Sequence, residues 1–119
     1  MMKRKSSESG FETFVVDQLA DLGTVTSRKM FGGAGLYCDD LFFGLIARDQ
    51  VYLKVDGHTR ALFEKEGCSP FRPYPDKPST MQYYSVPVDV LESARELVEW
   101  ARRAVAAARR AQTAKLKKR

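Results

Sequence analysis

The chain has 119 residues and a mass of 13.5 kDa, enough for one domain that buries roughly two-thirds of the surface it exposes when unfolded. Hydrophobic residues make up 44% and charged residues 29%, an ordinary globular balance that excludes a mainly disordered or fibrous chain. The formal charge of +5 is divided unevenly: residues 1–100 hold 12 Lys/Arg against 15 Asp/Glu, net −3, whereas residues 101–119 hold eight basic residues and no acidic ones, net +8.

The first nine residues are charged and Ser-rich with no apolar core behind them. They read as a flexible N-terminus, and neither a secretory signal nor a membrane span is expected. Ser9 and Glu12 have capping-box spacing and predict a helix start. Phe11, Phe14, Val15, Leu19 and Leu22 then recur at helical intervals until Gly23, the residue expected just past a helix end. From Val25 the pattern changes to short β segments. Val25 to Phe31 predicts a strand, and Gly32-Gly33-Ala34-Gly35 predicts a break or bulge after it. Leu36 to Cys38, Leu41 to Ala47 and Gln50 to Val55 are joined by Asp39-Asp40 and Arg48-Asp49, the two-residue spacing of tight hairpins. Leu41 to Ala47 is apolar on both faces and belongs in the sheet interior.

Asp56 is placed to cap a short helix carrying Ala61, Leu62 and Phe63, with Gly67 closing it. Four of the five prolines lie between Pro70 and Pro78 and predict an ordered loop. Met81 to Val86 predicts another strand. Pro87 opens a long last helix, with Asp89 and Glu92 as its capping pair. Val90, Leu91, Ala94, Leu97, Val98, Ala101, Ala104, Val105 and Ala108 form its apolar stripe. Arg102, Arg103, Arg109 and Arg110 cluster well away from that stripe on a helical wheel, which predicts a core face and a basic face. The pattern ends near residue 112, so the domain is read as residues 10–112 and residues 113–119 as a basic disordered tail. The predicted class is α+β, an antiparallel sheet with flanking helices and a long C-terminal helix.

Catalytic chemistry has few candidates in this sequence. His58, the single histidine, sits at the start of a short helix with no evident partner base. Cys38 neighbours Asp39 and Asp40, whose charges raise a thiol pKa. Cys68 follows a helix end and reads as a small packed residue. Two cysteines without a CxxC exclude the common zinc frameworks and suit a reducing cytoplasm. Asp39-Asp40 reads as a turn rather than a cation site. The glycine segment lacks the phosphate-loop patterns and is followed by a strand. Phe42, Phe43, Tyr52, Tyr74, Tyr83 and Tyr84 read mainly as sheet core, with stacking on single-stranded nucleic acid as the rival role. No catalytic, cofactor-binding or metal-binding residue is assigned. The candidate nucleic-acid contacts are Arg102, Arg103, Arg109, Arg110, Lys115, Lys117, Lys118 and Arg119.

Arg28-Lys29-Met30-Phe31-Gly32-Gly33-Ala34-Gly35-Leu36-Tyr37, Leu41 to Ala47 and Val51 to Asp56 together resemble the N-terminal domain of the TfoX/Sxy competence-regulator family. Gly67-Cys68-Ser69-Pro70-Phe71, Met81 to Pro87 and the helix carrying Leu97, Val98, Trp100 and Ala101 agree in order, and the resemblance covers roughly Phe11 to Ala108. It implies the order α-β-β-β-α-β-β-α, like the secretion-chaperone-like folds. It also implies that Met30, Phe31, Gly32, Gly33, Gly35 and Tyr37 form a structural motif with no catalytic role. Two-domain members resemble positive regulators of bacterial DNA-uptake genes that cooperate with the cyclic-AMP receptor protein. Here only a basic tail follows the N-terminal-type domain, and the family's Gly after the hairpin Asp is replaced by Asp40. The expectation is a stand-alone cytoplasmic bacterial domain that regulates transcription through a protein partner, with weak DNA contact by the C-terminal helix and a homodimer compatible with it. The alternative is a non-catalytic, chaperone-like adaptor with no nucleic-acid role.

Overall fold

Two-residue turns give the sheet its order. In the computed structural model, which describes residues 7–30, 32–72 and 82–117, Asp39, Asp40, Arg48 and Asp49 all take positive φ, between 51° and 70°. Turns of this hand match the right-handed twist of the strands they join. They link β2 (Gly33–Cys38) to β3 (Leu41–Ala47) and β3 to β4 (Gln50–Lys54), while β1 (Val25–Met30) precedes β2 and β5 (Tyr83–Ser85) follows β4. The strands are antiparallel in the order β1-β2-β3-β4-β5. The apolar β3 is therefore the central strand, as its sequence predicts.

The predicted break at Gly32 to Gly35 is corrected in part. Gly32, at φ +70°, lies between β1 and β2, but Gly33, Ala34 and Gly35 are ladder residues of β2. The irregularity falls on β3, where Tyr37 pairs with Phe42 and Leu36 with Gly44, leaving Phe43 as the extra residue. That bulge turns Phe43 fully into the core while Phe42 stays on the opposite face. Gly33 is required by proximity, because a Cβ there would lie 2.0 Å from the Ile46 carbonyl oxygen.

Helices cover one face of this sheet. They are α1 (Ser7–Gln18), α2 (Arg60–Lys65), α3 (Val88–Leu91) and α4 (Ala94–Lys117). The α+β class, the helix at each end and the helix between extended segments are as predicted, with Pro70 making an isolated bridge to Tyr84 ahead of β5. Leu36, Phe43, Val51 and Leu53 from the sheet meet Val15 and Leu19 of α1, Phe63 of α2 and Leu97, Ala101 and Ala104 of α4. Phe14, expected inside, is 40% exposed, and of the three apolar residues that the predicted second helix carries only Phe63 is buried. Among the described residues no helix is long and apolar enough to cross a membrane.

Three local readings change. The first helix starts at Ser7, so Ser9 is not its cap, and the Glu12 carboxylate instead accepts the Ser27 hydroxyl at 2.5 Å. The long last helix is two helices: Asp89 lies in α3 and Glu92 is its C-cap residue, and α4 starts after Ser93, whose hydroxyl accepts the Glu96 N–H. Finally, α4 stays helical through Lys117 where a disordered tail is expected. Ala111, Ala114, Leu116 and the lysines are strong helix formers, so helicity outlasts the amphipathic pattern while every side chain from Arg109 to Lys117 is exposed.

Candidate nucleic-acid interface

The basic residues of α4 inherit their directions from the helix period. Leu97, Val98, Ala101, Ala104, Val105 and Ala108 are buried against the sheet. Residues seven apart fall on nearly one line of a helix, so Arg102 pairs with Arg109 along one edge of the buried stripe and Arg103 with Arg110 along the other. The arginines are thus divided between two sides of α4 rather than gathered on one.

Arg102 and Arg109 line a concavity of about 350 Å³ with Leu22, Cys38, Asp39, Val105 and Ala106. Both are exposed. Arg109 lies close enough to Cys38 to lower its thiol pKa, but burial first and Asp39 second push that pKa up, and the upward effects win. The Cys38 thiol donates weakly to Asp39 Oδ2 at 4.0 Å.

The other edge is engaged within the protein. The Arg103 guanidinium sits 5.9 Å from the centroid of the Trp100 ring, which itself meets Phe63 edge-on at 4.9 Å. Arg110 donates from Nε to Asp56 Oδ2 at 2.7 Å and from Nη2 to Oδ1 at 3.1 Å. This hydrogen-bonded pairing, supported by the His58 N–H, holds the Asp56 carboxyl at about 2 despite its partial burial. Asp56 was expected to cap α2. It shapes the turn before it instead: Thr59 is the N-cap residue, and Asp56 Oδ1 accepts the His58 N–H at 3.0 Å. Arg110, counted among the phosphate contacts, is already matched by a carboxylate 54 positions away, a pairing no spacing rule detects.

Lys115 and Lys117 are exposed on the part of α4 that runs past the sheet. Lys118 and Arg119 lie outside the described residues, as do Phe31 and Tyr74. His58 is exposed, and Asp39 and Asp40 are exposed turn residues, with Asp40 3.8 Å from Arg28. Burial, reinforced by Glu66, pushes the Cys68 thiol up to about 11. Among the described residues no three His, Cys, Asp or Glu side chains converge to hold a metal. Of the aromatic candidates, Phe43, Tyr83 and Tyr84 are buried and Phe42 and Tyr52 half-buried.

The glycine motif explains itself as packing. A Cβ on Gly35 would lie 2.9 Å from the Phe42 ring, 3.2 Å from the Tyr37 ring and 3.3 Å from the Met30 sulfur, so these side chains fold over a residue that must stay small. The same arrangement agrees with a family comparison: residues 17–108 match the family model for the TfoX N-terminal domain. The chain belongs to the TfoX N-terminal domain family. A 51-residue stretch, 43% of the chain, is 39% identical to a protein of Aliivibrio fischeri named DNA transformation protein TfoX1, of which it covers 24%. The chain therefore matches about a quarter of that relative's length. Within this TfoX-type domain, Met30, Gly32, Gly33, Gly35 and Tyr37 serve the β1-β2-β3 part of the sheet, and α4 carries the exposed cations.

Proposed function

We propose that this TfoX-type domain is a non-catalytic bacterial regulator associated with DNA transformation, acting in the cytoplasm through contacts with a protein partner, with α4 adding a weak, sequence-indifferent contact to duplex DNA. The family match and the relative's name support the transformation association. The observation that carries the DNA contact is the edge of α4 on which Arg102 and Arg109 lie exposed one above the other, followed by the exposed lysines of the overhang. Arginines at this spacing can reach successive phosphates and release counterions without reading bases. Two thiols held above their ordinary pKa are poor nucleophiles at neutral pH, which supports a binding role over a catalytic one.

The pairing of Arg110 with Asp56 favours a second reading, an adaptor with no nucleic-acid role, because it withdraws one cation from the basic set. Titration of a labelled duplex at low salt separates the two. Binding with a Kd of roughly 10⁻⁴–10⁻⁶ M that weakens steeply with salt supports the first reading. No duplex binding, together with a stoichiometric protein partner retained after nuclease treatment, supports the second.

A further inference from the structure

The face of the sheet opposite the described helices carries a continuous row of rings and cations. Strand register places Arg28 beside Gly35, Tyr37 beside Phe42 and Lys54 beside Tyr83. The Arg28 guanidinium lies 4.5 Å from the Tyr37 ring centroid, Tyr37 is 5.2 Å from Phe42, Phe42 is 5.6 Å from Tyr83, and the Lys54 ammonium is 5.2 Å from Tyr83. At its Tyr83 end this row opens into a groove of about 500 Å³ whose other wall is the overhang of α4. Phe42 and Tyr83 form the sheet side, and Ala111 and Leu116, the latter 63% exposed, form the helix side. Lys54 and Lys115 flank it, and among the described residues no carboxylate lines it.

We propose that this groove, with the Tyr37–Phe42 row leading into it, binds a single-stranded polynucleotide, the base lying against Phe42 and the helix wall while Lys54 and Lys115 take the flanking phosphates. The charge and shape of the groove select that occupant. Two ammonium groups with no carboxylate beside them among the described residues call for an anion, and a slot between a ring and an apolar wall calls for a flat apolar surface. A polynucleotide supplies both in every residue. A second copy of the chain is disfavoured by charge, since its basic α4 overhang would meet the lysines of this one. The proposed site lies on the sheet side of α4 and shares Lys115 but neither Arg102 nor Arg109 with the duplex contact, so Phe42 and Lys54 on the sheet side test it separately.

The test is fluorescence anisotropy with a labelled dT12 strand and the full chain at low salt. The wild-type protein is expected to bind dT12 in preference to an equal length of duplex. Lys54→Gln with Lys115→Gln should shallow the slope of log affinity against log salt by up to about 1.4, at about 0.7 per phosphate on a single strand. Phe42→Ala should weaken binding roughly 5- to 150-fold and Phe42→Tyr should restore it, as stacking requires. Should Phe42→Ala fail to fold, the lysine pair and Phe42→Tyr carry the test. No dT12 binding, binding indifferent to the two lysines, or equal competition by duplex would overturn the proposal. Displacement of dT12 by an acidic peptide more efficiently than by unlabelled dT12 would also overturn it, making the groove a protein-docking site.

Discussion

Asp56→Asn removes the charge that holds Arg110 while keeping an oxygen able to accept the His58 N–H. Its effect follows from linkage. The Asp56 carboxyl sits at about 2 in the folded protein, against about 3.9 for an unfolded aspartate. A lowered acid pKa contributes stability that is fully present above the unfolded value and disappears as pH falls through the folded one. A depression of this size is bounded at about 2.6 kcal/mol. The two side chains are 24% and 41% exposed, so solvent screening brings the expected contribution down to about 1 kcal/mol. Urea denaturation followed by far-UV circular dichroism should therefore show Asp56→Asn about 1 kcal/mol less stable than the wild type at pH 7. The difference should close between about pH 4 and pH 2. A difference as large at pH 2 as at pH 7 would refute the ionic account, and equal stabilities at pH 7 would show the pair to be energetically idle.

Gly33→Ala drives a methyl group to within 2.0 Å of the Ile46 carbonyl oxygen, so strands β2 and β3 must separate. A loss of at least about 3 kcal/mol by denaturant titration is expected, and a tolerated substitution would contradict the register described. Asp49→Gly relieves a left-handed residue at φ 58° and should raise stability by about 1 kcal/mol, measured as a higher urea midpoint at unchanged slope. Cys38 and Cys68, both shifted upward chiefly by burial, should alkylate with iodoacetamide at pH 7.5 more slowly than free cysteine, and a matching rate would be inconsistent with the packing shown.

What could be read from the sequence was local and periodic. Asp39-Asp40 and Arg48-Asp49 announce hairpins through spacing alone, and the stripe from Leu97 to Ala108 announces the buried face of α4. The glycine segment misleads because glycine disfavours a strand on propensity, whereas Gly33 and Gly35 stay in β2 because neighbouring atoms leave no room for a Cβ. Ser93 and Glu96 have capping-box spacing, but the continuous apolar stripe from Val90 onward hides the interruption they mark. The Arg110–Asp56 pair is illegible by nature, being made by tertiary packing between positions 54 apart. A helical wheel shows that four arginines avoid the core, yet it does not show that Arg103 meets Trp100 and Arg110 meets a carboxylate while Arg102 and Arg109 face solvent.

That division supplies the most direct test of the DNA-contacting edge of α4. The salt dependence of duplex binding should be compared for the wild type, Arg102→Gln with Arg109→Gln, and Arg110→Gln. Each lost phosphate contact removes about 0.9 from the slope, so the double variant should lose up to about 1.8. Arg110→Gln should change the slope little, since its charge is already matched by Asp56. A double variant with the wild-type slope, or an Arg110→Gln slope shallower than that of the double variant, would contradict the assignment.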